Sequence, residues 1–391
     1  MYNLKKTTRI FRDSPWNIPC KDRIMEIDDA KKSNRKTVAF LYPQFDASTF
    51  RYRGYNVAET LEYSFWWYGT YFQLSELKYL EQCLDKVDIV VIIRCAWNPD
   101  LEEFIVHARS KRVKVCYDVD DLIYNDDRME SVIEALGLDQ DNEWNFWFGL
   151  TKRNHMIANM CDAYITTNDF LAERLKSDFS RPCYVLHNYL NWMQEEVSEE
   201  YYKQKIVMEG EKPFEIGYFS GSPTHLNDLM IVMPELEEFL TRHENTRFRI
   251  VGYMDLPEKY EYLVESKKIV YTPFQSFTGL QYEQAKVDVS IVPLVNNEFS
   301  NCKSELKYFE AAIVGTLTCA TPSHTYSAAI NNGENGYLCE KGQWLTVFEK
   351  IYENGISKEQ MGDIRKKALE VYSGINQLKQ VEEILNKIYD L

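Results

Sequence analysis

Three polar residues in the C-terminal half of the chain have the spacing of one helix face. The sequence predicts a helix over Ser304 to Val314, which puts Lys303, Lys307 and Glu310 at positions i, i+4 and i+7. At 100° per residue these side chains fall within roughly 60° of one another. Lysine neutralises phosphate and glutamate can accept two ribose hydroxyl hydrogen bonds, so this face, with Ser304, predicts a nucleotide site. The alternative is a solvated face whose Lys307–Glu310 pair contributes about a few tenths of a kcal/mol.

A loop that follows a predicted strand, Glu215 to Phe219, supplies a second set of candidate ligands. Gly221 lets the backbone approach a ligand closely, and Ser222 lies beside it. His225 can donate a hydrogen bond to a phosphate or a sugar hydroxyl. The alternative is an ordinary turn between strand and helix, in which His225 only caps the helix.

Carboxylates follow a predicted strand of the N-terminal half, Val113 to Tyr117. They are Asp118, Asp120 and Asp121. Clustered carboxylates at a strand end suit general-base catalysis or hydroxyl binding, and the alternative is a helix N-cap. A DxD pair can also hold a divalent metal together with a nucleotide diphosphate, but that arrangement belongs to a different fold. Because the strand and helix pattern of this chain argues against that fold, we expect no metal site.

Two arginines and a glycine follow the first predicted strand, Thr37 to Tyr42, in the segment FRYRGYN. They are Arg51, Arg53 and Gly54. Since they come between a strand and a helix, we expect them near a ligand cleft, in contact with a phosphate or an acceptor.

Two stretches of the chain show short apolar strands that alternate with helical patterns. One of the predicted helices spans Tyr55 to Trp67. Apolar runs such as Val87 to Arg94 are typical of parallel sheets buried on both faces. The alternation predicts an α/β fold with two doubly wound, Rossmann-like domains facing across a cleft at their strand ends. The expected divisions are an N-terminal extension (1–35), a first domain (36–191), a linker (192–212), a second domain (213–360) and C-terminal helices (361–391) that pack back on the first domain.

Composition excludes several classes of protein. The 391 residues carry a formal net charge of −15, which argues against nucleic-acid binding because that needs a basic surface. No run of 18 apolar residues and no signal-peptide pattern appears, so we expect a cytoplasmic protein. The nine cysteines form no CxxC pair, and several lie in apolar runs, so we expect reduced, mostly buried thiols.

The segments EAAIVGTLTCAT (Glu310 to Thr321) and NNGENGYLCE (Asn331 to Glu340) resemble the donor domain of GT-B glycosyltransferases of the group 1, or family 4, type. More narrowly, YDVDDL, GYFSGSPTHLNDL and KSELKYFEAA resemble bacterial enzymes that extend capsule, O-antigen or rhamnose-rich glycans. The resemblance implies transfer of a hexose or a deoxyhexose such as rhamnose from a nucleotide-diphosphate sugar to a growing glycan. It implies retention of anomeric configuration without metal or other cofactor.

The resemblance also implies partners and residue roles. The acceptor would be a glycan or lipid-linked glycan, which would bring the protein to the inner face of the cell membrane. Glu310 would bind the nucleotide. The family pattern E-x7-E has a second glutamate eight positions earlier, where this chain has Cys302. That departure keeps open the alternative of a non-catalytic scaffold that binds nucleotide sugar or glycan. A sugar-nucleotide epimerase with the same fold is a second alternative.

Overall fold

A computed structural model describes the chain except for residues 1–3, 10, 137–139, 209 and 222–224. Six parallel strands form the first sheet, in the order β2-β1-β3-β4-β5-β6. The strands are β1 (Lys36–Tyr42), β2 (Trp67–Gln73), β3 (Ile89–Ile93), β4 (Lys114–Asp118), β5 (Ala163–Thr166) and β6 (Cys183–Val185).

Six further parallel strands form the second sheet, in the order β12-β11-β10-β7-β8-β9. The strands are β7 (Phe214–Ser220), β8 (Thr246–Gly252), β9 (Ile269–Thr272), β10 (Val289–Val292), β11 (Leu317–Ala320) and β12 (Gly336–Leu338). The predicted pair of doubly wound parallel sheets is therefore confirmed.

Helices cover both sheets. They are α1 (Cys20–Lys32), α2 (Asn56–Thr60), α3 (Leu77–Gln82), α4 (Pro99–Ser110), α5 (Met129–Leu136), α6 (Gln140–Met160), α7 (Asp169–Phe179), α8 (Trp192–Val207), α9 (Leu226–Met230), α10 (Met233–Arg242), α11 (Glu261–Glu265), α12 (Phe277–Lys286), α13 (Glu298–Asn301), α14 (Leu306–Ala312), α15 (His324–Ala329), α16 (Trp344–Asn354), α17 (Lys358–Tyr372) and α18 (Gly374–Tyr389). We call the first sheet with α1–α7 the N-terminal lobe, and the second sheet with α9–α17 the C-terminal lobe.

Two helices join the lobes. The chain passes from one lobe to the other through α8, which packs against α12 of the C-terminal lobe. After α17 the chain crosses back, and α18 lies against the N-terminal lobe. There Asn386 accepts a hydrogen bond of 3.1 Å from the Trp67 indole, and Ser64 donates to Glu382.

The segment after β1 differs from the predicted helix over Tyr55 to Trp67. The chain forms a π-helical turn over Arg51–Tyr55, then α2 and a 3₁₀ turn, and Trp67 already begins β2. The run WYGTYFQ pairs with β1 through its whole length, because its aromatic and β-branched residues suit a pleated surface. Gly69 permits this packing, since a Cβ there would lie 2.7 Å from the Ala58 backbone.

Eight of the nine cysteines are buried and all nine are free thiols, as expected. None of the described helices is long and apolar enough to cross a membrane.

A glycine closes the carboxyl end of β8 beside the end of β7. Gly252 has a φ of +103°, and a Cβ on it would lie 1.9 Å from the Ser220 carbonyl oxygen. We expect Gly252→Ala to lower the free energy of unfolding by about 3 kcal/mol or more, because the strained φ and the clash add. Gly342→Ala is the control: its φ is +88° with nothing within 4 Å, so only the strain of about 1–2 kcal/mol applies. Urea unfolding of both variants measures the difference, and equal losses would contradict a role for the clash.

Candidate active site between the two sheets

A cavity of about 610 Å³ lies where the carboxyl ends of both sheets meet. Its walls come from the segments that follow β1, β3 and β4 in the N-terminal lobe, from those that follow β7 to β10, and from the start of α14. The volume falls in the range of about 300–1,000 Å³ that is usual for small-molecule sites. The position is the one expected for ligands of open α/β sheets.

The predicted Lys/Glu face lines this cavity. Helix α14 begins at Leu306, later than expected, so Lys303 and Ser304 lie in the bend before it. These two residues, together with Lys307 and Glu310, still line the same wall. Burial lowers the pKa of Lys307 to about 8, because the ammonium loses hydration and lies near a second lysine. A bound anion would stabilise the charged form of Lys307.

The loop after β7 contributes to the same wall. Gly221 and His225 line the cavity, whereas Ser222 lies outside the described residues. His225 Nδ1 lies 3.0 Å from Asp228 Oδ2, and burial lowers the pKa of the ring. In the neutral ring Nδ1 donates to the Asp228 carboxylate, which leaves Nε2 as an acceptor for a hydroxyl group.

A carboxylate–arginine cluster forms the opposite wall. Asp120 and Asp121 both line the cavity, as expected, and both accept hydrogen bonds from Arg94. Lys303 Nζ reaches across to within 3.7 Å of Asp121 Oδ1. Burial alone would raise the pKa of Asp121, but Lys303 and Arg94 outweigh it and hold the pKa below its usual value. Asp121 is therefore ionised at neutral pH and accepts hydrogen bonds.

Three predicted site residues do not reach the cavity. Asp118 and Arg53 form a buried pair, with Arg53 Nε and Nη2 at 2.9 and 2.7 Å from the two Asp118 oxygens. Arg53 also donates to the Leu186 carbonyl at 2.6 Å. Gly54 packs on Phe50, where a Cβ would lie 2.7 Å from the ring. The structure thus places Asp118, Arg53 and Gly54 inside the N-terminal lobe, enclosed by protein and away from the cavity in which a catalytic or acceptor contact was expected.

Two residues that the sequence analysis did not single out take part in the site. Arg94 directly follows β3 and has a φ of 47°, an uncommon conformation for a side chain of its size, and such strain is typical of functional sites. The polar end of an apolar strand was a signal that could have indicated it. Tyr52 lines the cavity beside Arg51, and its hydroxyl donates to Glu310. No local pattern indicates that contact.

The end of the cavity toward β8 and β9 is apolar. Its lining residues are Phe219, Val251, Phe274, Leu280, Val292 and Leu294. Phe274 stacks on Tyr253 with ring centroids 5.4 Å apart, and both side chains are more than half exposed. A flat aromatic group would find stacking surface at this end.

Cys302 is enclosed by protein. Its side chain is fully buried and packs into the core of the N-terminal lobe, which raises the pKa of the thiol to about 12. Its carbonyl accepts a 2.8 Å hydrogen bond from Asn168. The position therefore serves contact between the lobes and presents no acceptor to a ligand.

Part of the C-terminal lobe is similar to a known protein family. Residues 216–353 match the family model described as glycosyl transferases group 1. No curated protein sequence matches the chain.

Solved structures give the fold of the whole chain. A Rickettsia africae glycosyltransferase superposes with a TM-score of 0.61 at 14% identity, over 91% of this chain and 99% of its own. Anabaena HepE, in complex with UDP and glucose, superposes with a TM-score of 0.57 at 13% identity, over 90% of this chain and all of its own. TarM, known from Staphylococcus aureus, superposes with a TM-score of 0.52 at 15% identity, over 81% of this chain. The match spans only 57% of the TarM chain.

The predicted GT-B fold and the resemblance to group 1 glycosyltransferases are both confirmed. The chain has two Rossmann-like lobes that face across a cleft, and residues 216–353 of the C-terminal lobe match the group 1 model.

The buried Arg53–Asp118 pair predicts that Asp118 acts on stability. Asp118→Asn leaves the Arg53 guanidinium buried without its counter-charge, so we expect the free energy of unfolding to fall by about 3–5 kcal/mol. The same substitution at Asp29, whose pair with Lys32 is solvent-exposed, should change it by less than about 1 kcal/mol. Urea unfolding compares the two variants. An Asp118→Asn protein that is as stable as the wild type would contradict this stabilising role.

Proposed function

We propose that this GT-B protein transfers a hexose or deoxyhexose from a nucleoside diphosphate sugar to a hydroxyl group of a growing glycan. The observation that carries the proposal is the cavity wall on which Lys303, Lys307 and Glu310 lie together, next to an apolar end. Two cations for a diphosphate, a carboxylate for a ribose and a flat apolar surface for a base make up the recognition chemistry of one ligand class.

We infer the direction of the donor from the order of these groups along the cavity. The base lies at the apolar end near Phe274, and the ribose lies at Glu310. The diphosphate lies along Lys307 and Lys303. The sugar then extends beyond Lys303 toward Asp121, which lies 3.7 Å from the lysine across the cavity.

The two lysines give the reaction its main electrostatic support. As the bond to the diphosphate breaks, negative charge grows on the leaving oxygen, and Lys303 and Lys307 stabilise it in a site with little water. Because these side chains supply the positive charge, we propose transfer without a divalent metal or other cofactor. We also propose retention of anomeric configuration, which follows from the group 1 type and which NMR of the product would test.

Asp120, Asp121 and His225 surround the end where the sugar meets the acceptor. As ionised Asp121 and neutral His225 both accept hydrogen bonds, they orient hydroxyl groups of sugar and acceptor. Asp120, whose oxygen lies 3.5 Å from the Thr49 hydroxyl, is the candidate to receive the acceptor proton.

Ligands of structural neighbours suggest where to begin. HepE binds UDP-glucose, and pneumococcal GtfA binds UDP and GlcNAc, so UDP-sugars are the first donors to test. We propose a cell-surface glycan as the acceptor. If that glycan is lipid-linked, transfer takes place at the cytoplasmic face of the membrane.

A thermal-shift and calorimetry panel of UDP, GDP, dTDP and their sugars tests the nucleotide assignment. We expect one nucleoside diphosphate to bind the wild type. Glu310→Gln should weaken it by about 10–100-fold, because hydrogen bonds to a charged group contribute about 1.5–3 kcal/mol.

Glu305→Gln is the matched control. Glu305 precedes the same helix and is equally buried, but it bonds to Tyr372 and His187 and does not line the cavity. We expect it to bind nucleotide as the wild type does. Failure of the wild type to bind any member of the panel would overturn the proposal, as would equal effects of the two substitutions. Binding without sugar transfer to any glycan acceptor would favour the scaffold alternative.

The pKa of Lys307 predicts how binding depends on pH. Burial lowers this pKa to about 8, so the charged form that attracts phosphate is lost as pH rises through 8. The Kd of the nucleoside diphosphate should therefore rise above pH 8, by at most about tenfold per pH unit. Lys307→Arg keeps its charge and should give a nearly flat profile over the same range. Calorimetry from pH 7 to 9.5 compares the two, and a flat wild-type profile contradicts the assignment.

A further inference from the structure

Glu310 receives two hydrogen bonds from the opposite lobe. Its Oε1 accepts from the Tyr52 hydroxyl and from Arg51 Nη2, the latter at 3.3 Å. Both donors lie on the π-helical turn Arg51–Tyr55 of the N-terminal lobe, and the Arg51 and Glu310 side chains are each 4% exposed. A carboxylate that the nucleotide needs is thus held from across the cleft.

Arg51 is itself fixed on every side. Its Nε donates to the Ala47 carbonyl at 2.7 Å, and its Nη1 donates to Gln194 of α8 at 2.8 Å. The guanidinium also lies over the rings of Tyr52 and Phe277, at 4.1 and 4.9 Å from their centroids. Contacts with both lobes and with α8 therefore hold the Nη2 group of Arg51 in one direction, toward Glu310.

The second oxygen of Glu310 is left for the ligand. No donor of the described residues bonds to Oε2, and Glu310 lines the cavity. Two donors on Oε1 fix the plane of the carboxylate and compensate the burial of its charge. Oε2 is then held in one place, where a ribose hydroxyl can donate to it.

We propose that Tyr52 and Arg51 are positioning residues for the ribose: they orient Glu310 from the opposite lobe, so that the nucleotide site is complete only when the lobes are closed. The inference rests on the proposed function, in which Glu310 binds the ribose. Because the donors and the carboxylate belong to different lobes, nucleotide binding and closure favour each other by the same factor. The competing interpretation is that Tyr52 and Arg51 occupy Glu310 at the expense of the ribose. In that case, removing either donor would tighten nucleotide binding instead of weakening it.

Tyr52→Phe tests the inference with little disturbance of packing. It removes the hydroxyl and keeps the ring, which packs edge-on against Phe309 with centroids 6.0 Å apart. We expect the Kd of the nucleoside diphosphate that binds the wild type to rise about tenfold. The Kd of inorganic pyrophosphate should stay unchanged, because pyrophosphate has no ribose. A general loosening of the fold would weaken both ligands alike, and that result overturns the proposal.

Tyr372→Phe is the matched control. Its hydroxyl donates to the buried carboxylate of Glu305 at 2.9 Å, away from the cavity, so nucleotide affinity should stay at the wild-type value. In a Glu310→Gln background, Tyr52→Phe should cause no further loss, because both substitutions act through one group. Arg51→Lys, which keeps the charge but loses the fixed geometry, should also weaken the nucleotide more than pyrophosphate.

The outcomes separate the inference from the proposed function. If Glu310→Gln weakens nucleotide binding and Tyr52→Phe does not, the positioning role is wrong and the nucleotide site stands. Tighter binding by Tyr52→Phe would establish competition instead of positioning. If the wild type binds no nucleoside diphosphate, both the function and the inference fail.

Discussion

The ion pair between Arg53 and Asp118 fixes the edge of the first sheet on which the cleft is built. Arg53 follows β1, Asp118 ends β4, and Arg53 also bonds to Leu186 and Asn188 after β6. One guanidinium thus joins the carboxyl ends of three strands. The network continues into the C-terminal lobe, because Asn188 donates to Ser304 at 2.9 Å, just before α14. Since both charges are enclosed, each depends on the other, and loss of either would disturb both walls of the cavity.

A single π-helical turn connects this buried pair to the ligand site. In the turn Arg51–Tyr55, Arg53 points into the sheet edge, whereas Arg51 and Tyr52 face the cleft and Glu310. π-Helical turns are rare and are frequently found at functional sites. The same five residues therefore hold the N-terminal lobe together and reach across to the other lobe.

Much of the fold and part of the site could be predicted from the sequence, because both rest on local patterns. Apolar runs gave the buried parallel strands, and helical spacing grouped Lys303, Lys307 and Glu310 on one wall. What could not be predicted depends on tertiary contacts. β2 was not predicted, because its stability comes from pairing with β1. Asp118 and Asp120 look equivalent in sequence. They differ because Asp118 is enclosed with Arg53, whereas Asp120 lines the cavity. The contact of Tyr52 with Glu310 joins residues 258 positions apart, beyond the reach of any spacing rule.

The same reasoning explains why Cys302 stands where the E-x7-E pattern of the resemblance leads us to expect a carboxylate. The segment between α13 and α14 packs against the N-terminal lobe, with the Cys302 thiol in that lobe's core and the Cys302 carbonyl bonded to Asn168. A carboxylate there would be buried among apolar side chains at high cost. Polar groups at the far end of the proposed donor then come from the N-terminal lobe, as Asp120 and Asp121 held by Arg94. In the proposed function, the choice of sugar thus depends on the lobe that also receives the acceptor, whereas the choice of nucleotide remains with the C-terminal lobe.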